Sequence, residues 1–198
     1  MTNNISRFSN FEETKTKKMK RTIIVTGFIA GFIVAAFMLA SMAKIFNLNN
    51  YEGSMLLGYT TMLVAFSLIF VAVKNNRDKY GNGVITFGKA FTTGLMITLI
   101  ASTIYVIVWM IDYFYFIPDF YEKYSAHELL QLKAAGGTQA QLSAKAAEIQ
   151  QFSKLYRNPF FNALVTYAEI LPVGLIVSLL AAVILKRKAN HDKAIVSQ

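Results

Sequence analysis

Four long apolar runs, separated by polar segments, set the pattern of the chain. No charged residue lies between Thr22 and Ala43, between Ser54 and Val73, or between Ala90 and Ile111, and the run from Phe160 to Leu185 holds one, Glu169. The runs do not alternate apolar with polar, as a barrel strand must, and they leave no polar face for water, as a soluble amphipathic helix must. At about 1.5 Å per residue a helix over 22–43 is about 33 Å long, a match for a hydrocarbon core of about 30 Å. The pattern predicts an all-α integral membrane protein with transmembrane helices over 22–43, 54–73, 88–111 and 160–185. The third begins at 88 because the long stem of Lys89 can snorkel to the headgroups.

Only the segment between the third and fourth runs is large enough to form structure outside the bilayer. Helical composition from 119 onward stops at Gly136-Gly137, and Thr138 with Gln141 makes a capping box for a second helix ending at Tyr156. Leu142, Ala146, Ile149, Phe152 and Tyr156 recur at steps of three and four, so one face of that helix is apolar. A helical hairpin over 119–156 is predicted, a cap over the outer mouth of the bundle or a docking site for another membrane protein.

Composition agrees: 55% of residues are hydrophobic and 16% charged, outside the range of soluble domains. Charge adds the orientation. Fourteen of the 20 Lys and Arg residues fall in the amino-terminal segment Arg7 to Arg21, in the loop Lys74 to Lys89, and from Lys186 onward. Basic residues near spans stay in the cytoplasm, so both termini are expected there and the hairpin outside. The tails 1–19 and 189–198 are expected as cytoplasmic, the first of them disordered. The net charge of +9 sits at span ends, where it sets topology and attracts anionic lipid; no nucleic-acid partner is expected. Ser41-Met42-Ala43 imitates a signal cleavage site, but the run is too long for a signal peptide and about twenty polar residues precede it.

Within the runs, small residues recur at four-residue spacing: Gly27 and Gly31; Ala90, Gly94, Thr98 and Ser102; Gly174, Ser178 and Ala182. Such rows let helix backbones approach in lipid. They are read as packing within one chain, with a homodimer through the Gly27/Gly31 face as the alternative. Rings crowd the outer end of the third run, Trp109, Tyr113 to Phe116, Phe120, Tyr121 and Tyr124, and read as an interfacial belt, with a ligand-binding aromatic cage as the alternative.

Glu169 is the strongest candidate for chemistry, since an acid near a helix centre costs a few kcal/mol on insertion and faces a bundle interior or a wet cavity. Pro172 lacks an N–H and frees the carbonyl of Ala168 beside it. Equal depth along the spans puts Tyr59, Ser102 and Tyr105 in a polar layer with Glu169, while Lys89 lies much nearer the inner face. The two readings are a structural carboxyl held by a neighbouring Tyr or Ser, and a site for a proton, cation or substrate. Enzyme readings lack parts. His127 and His191 have no partner at metal-ligand spacing, there is no nucleophile elbow or phosphate loop, no Asp lies within a run, and the absence of cysteine removes thiol chemistry. No catalytic residue, metal or cofactor is expected.

Several blocks carry a resemblance: Leu57-Gly58-Tyr59 and Ala65-Phe66-Ser67-Leu68-Ile69-Phe70; Ile85 to Phe91, reading ITFGKAF; Asn158-Pro159-Phe160; and Glu169 to Leu175, reading EILPVGL. From about Lys20 to Lys188 the chain resembles a bacterial membrane family catalogued as domain of unknown function 4199. The resemblance implies a four-span bacterial inner-membrane protein with no assigned activity or cofactor, and it includes Lys89 and Glu169 in its pattern without giving either a role. Two functions remain. One is a non-enzymatic structural or accessory protein; the other is a small proton- or ion-coupled transporter using Glu169, for which no inverted repeat or pair of broken helices is visible.

Overall fold

A computed structural model of the chain describes the backbone of residues 2–48 and 55–187, and the side chains of 12–45 and 56–187. The tail 189–198, and with it His191 and Lys193, lies outside the described residues. The described residues form seven α-helices: α1 Thr2–Leu48, α2 Met55–Phe66, α3 Leu68–Asn75, α4 Phe87–Ile111, α5 Phe120–Ala134, α6 Gln139–Tyr156 and α7 Pro159–Leu185. Four helical stretches are long and apolar enough to cross a membrane: Glu12–Ile45, Leu56–Tyr80, Phe87–Phe116 and Pro159–Leu185. Only 33% of the most apolar window is buried within the protein in the first, second and fourth. Residues such as Phe28, Phe32, Val64, Ile107 and Ile184 are left for lipid to cover.

Two boundaries differ from the sequence reading. The polar segment 1–19, expected as a disordered tail, is helical from Thr2. No Gly or Pro precedes Gly27, so nothing breaks a ladder that the apolar part has already nucleated. The second run, expected as one helix, is interrupted at Ser67. The Ser67 hydroxyl donates to the Val64 carbonyl at 2.6 Å, and its N–H is shared between the carbonyls of Leu63 and Val64 at 2.9 and 3.2 Å. A side chain competing for backbone acceptors in this way bends a helix. A π-helical turn, Asn76–Tyr80, follows α3, and Asn82 and Gly83, with φ of 51° and 80°, reverse the chain into α4.

α4 is the central element, packed along α1 on one side and α7 on the other. The small-residue rows explain how closely. A Cβ placed on Gly27 would lie 2.8 Å from Ile100, and one on Gly31 would lie 2.9 Å from Ile104, so these glycines receive the β-branched ridge of α4. The Gly27/Gly31 face is therefore filled within one chain, and a second copy would need another surface. Between α4 and α7 the fit is reciprocal, with Thr98 over Gly174 and Ser178 over Gly94, and the two hydroxyls lie 3.1 Å apart in a hydrogen bond. Phe66, Ile69, Ile97 and Ile170 fill the core between α2, α3, α4 and α7.

Caps fix where these helices start. Thr86 accepts from the Lys89 N–H at 3.4 Å, and Asn158 accepts from the Phe160 and Phe161 N–H groups at 2.9 and 3.3 Å, with Pro159 in the first turn of α7. Thr138 and Gln141 form a capping box at α6: the Gln141 N–H donates to Thr138 Oγ1 at 3.3 Å, and the Thr138 N–H donates to Gln141 Oε1 at 2.8 Å. α5 ends with Gly136 at φ 82° and the Gly137 N–H on the Leu132 carbonyl at 2.9 Å, a turn that favours glycine. α5 and α6 then pack on each other, with Lys145 3.6 Å from Glu128 and the Tyr121 and Phe152 rings 5.3 Å apart.

The three basic clusters share one end of the bundle. Lys15 and Lys18 of α1 lie beside Lys79 and Tyr80, Arg77 donates to the Leu185 carbonyl at 3.5 Å, and Ile85 and Arg187 exchange two backbone hydrogen bonds, 3.1 and 2.9 Å. The α5–α6 pair occupies the other end, joined to the bundle through Trp109 and Tyr156.

Candidate functional site

At the end that carries α5 and α6, the adjoining halves of α1 and α2 leave an open-sided cavity of about 410 Å³. Met38 and Met42 of α1 and Met62 of α2 form one wall, Tyr105 and Trp109 of α4 the back, Phe120 and Tyr124 of α5 and Tyr156 the roof. Among the described residues Glu169 of α7 is the single carboxyl group on its surface, and no basic side chain lines it.

The rings are held by one another. The Trp109 indole N–H donates to the Tyr156 hydroxyl at 3.0 Å, and Trp109 meets Phe120 edge to face at 5.6 Å. Tyr156 stands edge to face on Tyr113 at 5.3 Å and stacks on Tyr121 and Phe152, each at 5.5 Å. Burial pushes the Tyr156 phenol up to about 12, so it stays neutral and the indole bond persists across the physiological range. Arg157 with Glu122 joins α5 to the end of α6, and within the first turn of α5 Lys123 pairs with Asp119 at 2.6 Å, a hydrogen bond that holds the Asp119 carboxyl below its usual range.

Of the residues singled out from the sequence, Glu169 and Tyr105 meet on the cavity wall. Ser102, one turn deeper on α4, is fully buried, and its Oγ has no hydrogen-bond partner. Tyr59 is 46% exposed and does not line the cavity, whereas its neighbour Gly58 does, but its hydroxyl lies near enough to that of Tyr105 to interact with it electrostatically. Pro172 is exposed within a continuous α7. Lys89 belongs to the opposite end, lining a second cavity of about 220 Å³ with Lys15, Asn76 and Tyr80. It is about 24 Å from the depth of Tyr105 along α4. Among the described residues no hydrogen bond or ion pair engages the Glu169 carboxylate.

The aromatic run divides. Tyr115 and Phe116, 81% and 74% exposed, point outward as a belt would, but Trp109 and Tyr113 are buried and Phe120 and Tyr124 roof the cavity. Sequence reasoning also missed Asn76, Thr93, Asn162 and Thr166, all buried. The signal for the last pair is Asn162 and Thr166 at four-residue spacing on one face of an otherwise apolar run. No group of three or more metal-binding side chains occurs among the described residues.

These features define a multi-pass helical membrane protein with an aromatic, singly acidic vestibule at one end. The profile of the family described as Protein of unknown function (DUF4199) matches residues 26–187, and the chain belongs to that family. No curated protein and no solved structure matches the chain.

Proposed function

We propose that this is a non-enzymatic accessory protein of the bacterial inner membrane, which works by taking a ligand into the vestibule. Both termini are cytoplasmic, and α5 and α6 form a hairpin on the outer side that roofs the site. The gathering of the basic clusters at the end opposite the hairpin supports that orientation. The observation that carries the reading is the Glu169 carboxylate, unpartnered on the wall of a cavity rather than bonded into a packed interior. An acid kept in a span without a structural partner suits a site that something else enters. The chain has no cysteine, so a single Glu169→Cys variant can report access. In intact cells a membrane-impermeant maleimide is expected to label Glu169→Cys from outside, whereas Lys89→Cys labels only after permeabilisation. Failure of Glu169→Cys to label from outside would sink the proposal.

A second reading, proton- or ion-coupled transport, draws on one observation. Polar side chains descend from the vestibule through buried Ser102, the Thr98–Ser178 hydrogen bond, and Thr93 with Asn76 at 3.5 Å, and Asn76 lines the cavity at the far end. On this reading, liposomes containing the protein take up protons, and Glu169→Gln abolishes the flux without moving the thermal midpoint. No flux in the wild type leaves binding alone.

A further inference from the structure

We propose that the vestibule ligand is an organic ammonium ion with an apolar body, an inference that rests on the binding role just proposed. Among the described residues Glu169 is the one group on the wall that can carry a formal charge, and that charge is negative. The groups around it are aromatic: the Trp109 N–H is engaged by Tyr156, the hydroxyls of Tyr105 and Tyr124 can accept as well as donate, and tryptophan, tyrosine and phenylalanine rings supply π-surface. Aromatic faces attract cations through the ring quadrupole, most strongly those of tryptophan and tyrosine, and quaternary ammonium groups are their characteristic guests. The opposite wall is soft and apolar, with Met38, Met42 and Met62, and methionine adapts to varied hydrophobic shapes. A volume of about 410 Å³ lies within the range of small-molecule sites, about 300–1,000 Å³. A bound ammonium would also give the carboxylate a partner that the described residues do not supply, whereas an anion would lie beside that carboxylate with no basic side chain among them to offset it. The same chemistry is carried by a soluble amine and by the headgroup of an ethanolamine phospholipid.

The protein offers its own reporter, since Trp109 is its single tryptophan and lies in the vestibule wall. Benzyltrimethylammonium titrated into the purified full-length protein is expected to change the tryptophan emission saturably. Neopentylbenzene, the neutral isostere, is expected to bind at least about tenfold more weakly, the loss of one charge-assisted contact. Glu169→Gln should remove that difference at an unchanged thermal midpoint; if the variant does not fold, the two isosteres on the wild type still decide. Equal or preferential binding of the neutral isostere overturns the cation assignment but leaves the vestibule as a binding site. No saturable response to either compound removes both. Repeating the titration with added phosphatidylethanolamine separates the sources. Weaker binding of benzyltrimethylammonium identifies the lipid ammonium as occupant, unchanged binding identifies a soluble cation, and both support the assignment.

Discussion

Gly174→Leu is expected to be the most damaging single substitution in the transmembrane part. A Cβ alone at this position would overlap Thr98 and approach the Phe66 ring to 3.0 Å, before any further side-chain atoms are counted. Neither neighbour can yield. Phe66 is fully buried, and Thr98 is held by its hydrogen bond to Ser178. The helices must separate, which forfeits the Thr98–Ser178 bond and opens the contact between Gly94 and Ser178 one turn along. Overpacking typically costs about 1–3 kcal/mol, and loss of the coupled hydrogen bond adds about 1 kcal/mol. The measurement is the thermal unfolding midpoint in detergent beside Gly58→Leu, a glycine with nothing within 4 Å of its Cβ position. A large drop for Gly174→Leu and little change for Gly58→Leu is the expected result; equal effects would show that the α4–α7 approach is not governed by these glycines.

Tyr156→Ala is expected to release the α5–α6 pair from the bundle. Tyr156 is 8% exposed, touches four rings or ring systems, and accepts the Trp109 indole N–H. Truncating a buried aromatic side chain costs about 3–5 kcal/mol. Most of that loss falls on the joint between roof and spans, so the spans should remain folded while protease sites in α5 and α6 become cleavable. Trp109, left with an unpaired indole beside new solvent, should show red-shifted emission. Tyr156→Phe keeps the stacking and removes only the hydroxyl, so its cost should be about 0.5–1.5 kcal/mol with no gain in cleavage. Protection of the roof in Tyr156→Ala equal to wild type would mean that the Glu122–Arg157 and backbone connections suffice to hold it.

Much of this architecture was legible because it depends on composition over long windows. Charge-free runs announce spans whatever their neighbours, and Gly27, Gly31, Gly94 and Gly174 at small-residue spacing mark close helix approach before any partner is known. The caps at Thr138 and Gln141 were legible for a local reason: both partners lie within one turn. The vestibule was not. Glu169 and Tyr105 could be paired by depth, but depth could not show that Leu57 and Gly58 rather than Tyr59 line the cavity, since rotation of α2 about its axis is set by tertiary packing. The aromatic run was misread as wholly interfacial because a period of rings at a span end looks the same whether the helix continues outward or folds back to form a roof. Tyr156, 47 residues beyond Trp109, is joined to it only in three dimensions.

The reciprocal α4–α7 seam has a consequence for how the chain is made. α4 reaches the membrane with Gly94 and Thr98 along one side, yet the surface that covers them, Gly174 and Ser178, belongs to α7, which follows the other described helices in the chain. Until about seventy further residues have left the ribosome, that stripe has no protein to face, and lipid is a poor solvent for hydroxyl groups. A chain stopped anywhere before Pro159 is thus an inserted protein with an exposed polar flank, the kind of defect that membrane quality control can read. Arrival of α7 closes it, and the Ile85–Arg187 backbone pair then fastens the chain's last turn to the start of α4.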